Sequence, residues 1–182
     1  MPLGIGLKAD AFTSFIQMMF STPIQFHFNF YSSPYIHESR NQIVSEAQKS
    51  GCTHLMFIDT DLQYPGDGIL KLLKHNKSIV AGSYKMKTKD GKGTIKILKN
   101  GEYENIDNPP EVLFKCDVAP TGFMLIDMKV FDAIQFPYFM PDYDGKDLVT
   151  EDVYFCRKVK DKGIDIWCDG SIKLGHIGEY IY

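Results

Sequence analysis

The stretch HLMFIDTDLQ, residues 54–63, constrains the fold more than any other part of the chain. An apolar run there ends abruptly in two carboxylates, Asp59 and Asp61, which are separated only by Thr60. A short apolar run bounded by turn-forming residues is typical of a buried strand, and YPGD at residues 64–67 supplies the turn. The sequence therefore predicts two acids at the point where a buried strand ends.

Three helices are predicted in the first half of the chain. The first begins at Asp10, and its apolar residues have the spacing of a core-facing helix. That face consists of Phe12, Phe15, Ile16, Met19 and Phe20. The second helix begins at a capping box, SRNQ at residues 39–42, and ends at Gly51. The third begins at Asp67, which is predicted to cap it.

Strands are predicted between these helices. PIQFHFNFY, residues 23–31, alternates apolar and polar residues as a half-buried strand does. The run that ends at Asp59 comes after the second helix, and SIVAG, residues 78–82, comes after the third. Strands and helices in alternation are typical of a mostly parallel sheet with helices on its faces.

The second half of the chain has a different pattern. Residues 94–106 contain Asn100 and Gly101 between two alternating runs, which predicts a hairpin. The remaining predicted elements are strands at 112–118, 122–128 and 164–168, a short helix at 129–134, and a helix from Glu151 to about Lys162 that Thr150 caps and Gly163 closes. We therefore predict an α/β fold, with a mostly parallel sheet, flanking helices and a smaller antiparallel part in the second half.

Length, charge and cysteine content narrow the class of protein. The 182 residues predict one domain, over residues 1–182, and the net charge of -3 argues against a general nucleic-acid binder. The four cysteines lack CxxC spacing and are predicted to be reduced. No apolar run reaches transmembrane length and no signal peptide is visible, so we expect a cytoplasmic protein, or a host-cytoplasmic one if viral. A local group of lysines is interpreted as a solvated face: Lys85, Lys87, Lys89, Lys92, Lys96 and Lys99.

The two carboxylates suggest a cation site. Ligands of open α/β sheets bind beyond the carboxyl ends of the parallel strands, where Asp59 and Asp61 are predicted to lie. Side chains two residues apart on an extended chain point to the same side, and two such carboxylates repel each other unless a cation joins them. Their oxygen atoms suit Mg²⁺ or Mn²⁺, which usually bind together with substrate phosphates.

Four stretches, in this order, resemble a known family. They are SRNQIVSEAQKSGCTHLMFIDTD, IVAGSYKMK, APTGFMLIDMKVFD, and TEDVYFCRKVKDKG with GHIG after it. Together they resemble the nucleotide-diphosphate-sugar glycosyltransferases of the GT-A fold, especially the small bacterial and viral members close to family 2. The resemblance extends from about residue 11 to residue 176. It implies a metal-dependent, inverting enzyme that moves a hexose from a UDP- or GDP-linked donor to an acceptor hydroxyl.

The resemblance also implies roles for acidic residues and one histidine. Asp61 would bind Mn²⁺ or Mg²⁺ directly, and His176 would complete the metal site. Asp59 would contact the ribose or support the metal through water. Asp152 would be the base that deprotonates the acceptor hydroxyl. An acid at the start of a helix is held rigidly, and the helix dipole lowers its pKa, although acids are also common there without a function.

Further residues are implied in donor binding. Arg40 and Asn41 would lie near the nucleotide or its phosphates, and Thr121 and Gly122 would line the donor-sugar and acceptor pocket. The aromatic and acidic segment at 135–152 is predicted to be an acceptor-side loop or lid. The acceptor is left open between a glycan, a glycoprotein and a modified nucleobase. Only MPLGIG precedes the first helix, so the family's first strand is predicted to be shortened.

Two alternatives are left open. A phosphatase or phosphotransferase of the haloacid dehalogenase type also carries DxD after an apolar strand, but its motif opens the chain and has Thr or Val where Gln63 stands here. The other alternative is a protein of the glycosyltransferase fold that binds nucleotides or glycans without turnover. The shortened start favours it, whereas the acids Asp59, Asp61 and Asp152 count against it.

Overall fold

The computed structural model describes residues 8–31 and 33–178. Its helices are Ala9–Ser21 (α1), Ile36–Ser50 (α2), Gly68–Lys74 (α3), Lys129–Ala133 (α4) and Glu151–Asp161 (α5). Its strands are His54–Ile58 (β1), Leu62–Gln63 (β2), Ile79–Ser83 (β3), Lys96–Lys99 (β4), Glu102–Asn105 (β5), Leu113–Cys116 (β6), Phe123–Asp127 (β7), Asp142–Tyr143 (β8), Leu148–Val149 (β9), Ile166–Lys173 (β10) and Gly175–His176 (β11). The shortened first strand predicted at residues 1–6 lies outside the described residues.

A five-stranded sheet in the order β1-β7-β3-β10-β6 forms the centre of the fold. The α/β class with flanking helices is confirmed, but the sheet is mostly antiparallel: β3 and β10 are parallel, and the other neighbouring pairs are antiparallel. The cause is β7, which comes from the second half of the chain and inserts between β1 and β3. β1 and β3 keep the common direction that their strand–helix–strand pattern predicts. The ends of β1 and β3 and the beginning of β7 therefore lie together along one edge of the sheet, the edge that the strand ends form.

Helices cover both faces of this sheet. On one face, α2, α4 and α5 contribute Val44, Phe131 and Phe155 to a buried apolar cluster. On the other face, α1 and α3 contribute Met18 and Leu72. The four cysteines are free, and three of them, Cys116, Cys156 and Cys168, are buried. The predicted hairpin is confirmed as β4 and β5, with Asn100 and Gly101 in the left-handed region.

The buried face of α1 is not the predicted one. The helix buries Ala11, Ser14 and Met18. Four of the five predicted core residues are exposed instead: Phe12, Ile16, Met19 and Phe20. This face lies inward because α1 packs close to the chain after β2, where Ser14 accepts a hydrogen bond from the backbone N–H of Tyr64 at 3.1 Å.

The strand predicted at residues 23–31 does not form, and the segment is irregular. Its alternating rings instead gather around Phe15 of α1. Phe28 and Phe30 lie 5.0 and 6.5 Å from the Phe15 ring, and Phe26 stacks on Phe28 at 5.4 Å. Packing on a helix thus replaces pairing in a sheet.

The predicted capping box of α2 is also wrong, because the helix begins at Ile36, before the SRNQ stretch. Ser39 lies inside the helix, and its hydroxyl is buried without a hydrogen-bond partner among the described residues. The N-cap residue of α2 is Tyr35, and no side chain makes a capping hydrogen bond there. Just before the helix, the Ser33 hydroxyl accepts from the Tyr35 N–H at 3.1 Å and donates to Glu38 at 3.0 Å. The predicted end at Gly51 is confirmed by its left-handed conformation.

Candidate active site

Two sheet strands and two helices bring five of the candidate residues together. Asp59 lies directly after β1, and Thr121 and Gly122 lie directly before β7. Because β7 runs antiparallel to β1, these residues meet at one edge, and the Asp59 N–H donates to the Gly122 carbonyl at 2.8 Å. Arg40 reaches this edge from α2, and Asp152 reaches it from the first turn of α5.

Gly122 lies where no larger residue fits. A Cβ atom at this position would overlap the Tyr84 hydroxyl and would lie 2.6 Å from Oδ2 of Asp59. The close approach brings the Tyr84 ring, located after β3, next to the carboxylate located after β1. The glycine is therefore required by the packing of the site.

Arg40 is the charge centre of the site. Its side chain is buried, and Nη1 donates to Oε1 of Glu151 and Oδ1 of Asp152, both at 2.5 Å. Nη2 lies 3.8 Å from Oδ1 of Asp59. Burial works against the charge, but the surrounding carboxylates outweigh it and raise the pKa of Arg40, so the guanidinium stays ionised. This arginine holds three carboxylates together.

Asp152 is fixed through one of its two oxygens. Oδ1 accepts hydrogen bonds from Arg40 and, at 2.5 Å, from the Thr121 hydroxyl. Among the described residues, no hydrogen bond to Oδ2 is found, and 24% of the side chain is exposed. A carboxylate that is oriented through one oxygen and partly exposed to solvent can serve as a general base.

Glu151 is closer to Asp152 than helical geometry alone suggests. Adjacent helix positions differ by about 100° around the axis, which predicts separate roles. Both carboxylates nevertheless bond the same Nη1 atom of Arg40.

Burial and then the neighbouring Asp152 raise the pKa of Glu151, although Arg40 lowers it. Burial also raises the pKa of Asp59, although 36% of its side chain is exposed, because protein atoms surround the carboxylate closely.

Asp61 lies in a separate part of the site. Residues 60 and 61 form a turn after β1, so the two aspartates do not face one space as an extended chain would place them. Asp59 faces Arg40, whereas Oδ2 of Asp61 lies 2.5 Å from Nζ of Lys87 and 3.7 Å from Nε2 of His176. A protonated His176 ring and the Lys87 ammonium lower the pKa of Asp61 to about 2.

His176 has the orientation of a metal ligand. It is placed by β11, which pairs with β2. Its Nδ1 lies 2.9 Å from the Lys85 carbonyl and must donate the proton, because a carbonyl only accepts. In the neutral ring, Nε2 then carries a lone pair that faces the Asp61 carboxylate. A second acceptor facing a first one fits a cation between them, and a backbone carbonyl commonly orients metal-binding histidines in this way.

The described residues contain no group of three or more His, Cys, Asp or Glu side chains arranged to hold a metal ion. The pair of Asp61 and His176 nevertheless fits one, since two ligands of an ion with bonds of about 2.1 Å lie at most about 4.2 Å apart. Mg²⁺ and Mn²⁺ usually take their other ligands from water and phosphates. Asp59 does not join this pair, because its carboxylate is directed toward Arg40.

Asn41 does not face the acids. Its Nδ2 donates to the Phe139 carbonyl at 2.7 Å, and its Oδ1 accepts from the N–H groups of Tyr138 and Phe139 at 3.0 and 3.1 Å. The amide is thus occupied by the backbone of the segment before α5. This geometry supports a positioning role in place of the predicted nucleotide contact.

A cavity of about 1050 Å³ runs along β1, the edge strand of the sheet. Most of its walls are apolar and include Phe15, Phe26 and Phe28, while Asp59 and Thr60 lie at one end. The cavity therefore connects aromatic surface to the acidic edge of the sheet.

Sequence reasoning missed two residues of this site. Tyr84 lies after β3 as Asp59 lies after β1, so its position at the end of an apolar strand is a signal that predicts it. Lys87 has no such signal. It is one of several nearby lysines, and this local composition predicts a solvated face. The structure shows instead that Lys87 contacts Asp61.

Comparison with known proteins shows the fold. No protein-family model and no curated protein sequence matches the chain. The crystal structure of A197 from STIV matches with 17% identity and a TM-score of 0.69, covering 98% of this chain and 83% of that one. A structure of GalNAc-T7 with UDP, GalNAc and Mn²⁺ matches with 10% identity and a TM-score of 0.53, covering 81% of this chain but only 32% of that one. Apo UDP-glucose pyrophosphorylase matches with 10% identity and a TM-score of 0.48, covering 82% and 58%.

The chain therefore has a mixed α/β fold like that of the GT-A glycosyltransferases. At these identities the likeness concerns the fold alone. Among the described residues, no helix combines the length and the apolar character needed to cross a membrane.

Proposed function

We propose that this protein is a metal-dependent glycosyltransferase, which moves a sugar from a nucleotide-diphosphate donor to an acceptor hydroxyl with inversion. The observation that carries the proposal is Asp152, held through Oδ1 by Arg40 and Thr121 at the sheet edge that also bears Asp59. Such a carboxylate can accept the proton of an acceptor hydroxyl, which is otherwise a poor nucleophile. Arg40 and Thr121 are positioning residues for this base.

The donor is proposed to bind at the two aspartates. Asp61 and His176 would hold Mn²⁺ or Mg²⁺, and a bound ion would neutralise the negative charge that develops on the leaving nucleoside diphosphate. Asp59 would contact the ribose, and the aromatic cavity along β1 offers a surface on which a nucleobase can stack. The donor sugar and the acceptor are proposed to bind beside Thr121 and Gly122 at the same edge.

The acceptor is proposed to approach from the side of β8 and β9. These short strands precede α5, and the segment exposes Met140, Tyr143 and Leu148. Exposed apolar and aromatic side chains next to the proposed base offer stacking surfaces for a sugar or a nucleobase. A glycan, a glycoprotein and a modified nucleobase all present hydroxyl groups that suit this arrangement.

Thermal melts with UDP or GDP test the donor site. A ligand at about 100 times its Kd stabilises the folded state by about 2.7 kcal/mol, so we expect a higher Tm with nucleotide and Mn²⁺ together. Asp61→Ala should abolish this shift, and His176→Ala should reduce it, because Asp61 and the phosphates still hold the ion. Glu104→Ala is the control, since this carboxylate is exposed and pairs with Lys99 on the hairpin. Equal stabilisation in excess EDTA would contradict the metal site.

A further inference from the structure

Lys87 belongs to a short closed loop after β3. The Met86 N–H donates to the Lys92 carbonyl at 2.8 Å, and the Gly91 N–H donates to the Thr88 carbonyl at 2.9 Å. Lys85 and Gly93 form a bridge at the base of the loop. The loop is therefore a built element with a defined shape, and it directs one lysine back over the site.

The same loop shapes both partners of Asp61. The Lys85 carbonyl fixes the His176 ring through Nδ1, and the Lys87 ammonium contacts the carboxylate itself. Lys87 and His176 thus converge on one oxygen atom, Oδ2 of Asp61, at 2.5 and 3.7 Å. An ion held by Asp61 and His176 would lie beside the ammonium, and two cations at that distance repel each other.

We propose that Lys87 is a resident cation, which holds Asp61 before ligands bind and is displaced when a divalent ion and a nucleoside diphosphate bind together. This inference rests on the proposed function of the same site. The divalent ion takes over the Asp61 carboxylate, and the released Lys87 ammonium pairs with the diphosphate. When the metal binds alone, it displaces the Lys87 ammonium and leaves it without a new partner. When the metal binds with the diphosphate, the diphosphate becomes that partner.

The consequence is positive coupling between the two ligands. A nucleoside diphosphate raises the affinity for the metal, and the metal raises the affinity for the nucleotide by the same factor. Lys87 carries part of this coupling because its ammonium changes partner between the two states. If Lys87 were only a solvated surface residue, replacing it would leave the coupling between metal and nucleotide unchanged.

Mn²⁺ binding measured by calorimetry, alone and with saturating UDP or GDP, tests the proposal in the full chain. Lys87→Met should bind Mn²⁺ alone about two- to fivefold more tightly, the range expected on removing a partly exposed competing ion pair. It should also lose part of the affinity gain that the nucleotide gives. Lys87→Arg should keep both wild-type values, and Lys89→Met is the control, because Lys89 is an exposed residue of the same loop.

Three results would overturn the inference, and they separate it from the proposed function. Unchanged Mn²⁺ affinity and coupling in Lys87→Met, with binding lost in Asp61→Ala, removes the role of Lys87 and leaves the metal site standing. Nucleotide binding that persists in EDTA and is lost in Lys87→Met means that the lysine replaces the metal. No Mn²⁺ binding by the wild type with either nucleotide contradicts both proposals.

Discussion

At the scale of single residues, Arg40 decides the charge balance of the candidate site. It lies on α2 and neutralises acids from the end of β1 and the start of α5. Removing one partner of a buried ion pair leaves an uncompensated charge. The loss of stability is then larger than the net stability that the pair contributes. The site therefore depends on this arginine before any ligand binds.

Arg40→Met is expected to lower the free energy of unfolding by about 3–5 kcal/mol, because Asp59, Glu151 and Asp152 then lose their shared cation. Urea unfolding at pH 7 measures the change. Lys49→Met is the control, since Lys49 pairs with Glu46 on the exposed side of α2 and such pairs contribute up to about 1 kcal/mol. Equal effects of the two substitutions would show that Arg40 is not a buried charge centre.

Glu151 gives the site a pH dependence whose sign is fixed by burial. Its pKa in the folded protein lies above the usual 4.5, so the folded state holds the proton more tightly than the unfolded chain does. Its contribution to stability is therefore present below pH 4.5 and is lost as the pH rises through the folded-state pKa.

Glu151→Gln removes this titration and should flatten the fall in Tm as the pH rises from 4.5. Thermal melts between pH 4 and pH 8 measure it, with Glu104→Gln as an exposed control that keeps the wild-type slope. Arg40 keeps Asp152 as a close partner in the variant, so the change reports Glu151 itself. If the slopes of Glu151→Gln and wild type coincide, burial does not raise this pKa.

At the scale of elements, local signals in the sequence predicted which residues lie at strand and helix ends. They predicted less well how the elements pack against one another. Asp59 at the end of β1 and Asp152 at the start of α5 could be placed from the sequence, because strand ends and helix starts have local signatures. The buried face of α1 could not, since both of its faces carry apolar residues and the close approach to Tyr64 selects the face with Ser14. The same limit applies to Lys87, whose partner lies 26 residues away in the chain.

Asn41 links α2 to the segment before α5. Asn41→Ala leaves two backbone N–H groups and one carbonyl without their partner, and each buried unsatisfied group costs about 1–3 kcal/mol. We expect faster amide hydrogen exchange at Tyr138 and Phe139. Gln48→Ala is the matched control on the same helix, because the Gln48 side chain donates to the Tyr138 hydroxyl on the exposed surface and not to its backbone. Unchanged exchange in Asn41→Ala would remove its positioning role.

The hairpin of β8 and β9 is predicted to close over the bound ligands. It is tied to its surroundings by exposed ion pairs, from Asp144 to Arg157 and from Lys146 to Glu102, which are weak enough to exchange. Nucleotide and Mn²⁺ together should therefore slow protease cleavage between residues 138 and 146. Asp61→Ala is the control, in which the same additions should give no protection. Cleavage at the wild-type rate in saturated protein would make the hairpin a passive surface loop.

At the scale of the whole molecule, the fold class could be predicted but the strand order could not. The alternation of strands and helices around β1 and β3 identified the α/β class and their common direction. Nothing local indicates that β7, distant in the chain, would insert between them. That insertion is the feature that brings Thr121 and Gly122 beside Asp59, so the site is a product of the global topology.

The rate of nucleoside diphosphate release from a panel of nucleotide sugars tests the central claim most directly. With Mn²⁺, the wild type should transfer the sugar of at least one donor to water or to an acceptor and so release UDP or GDP. EDTA should stop this release. Asp152→Asn should keep Mn²⁺–nucleotide affinity within a few-fold but slow release by about 10² to 10⁴, the range for losing a general base. Glu151→Gln should slow it much less. Release by Asp152→Asn near the wild-type rate, or no release by the wild type from any donor, would contradict the account.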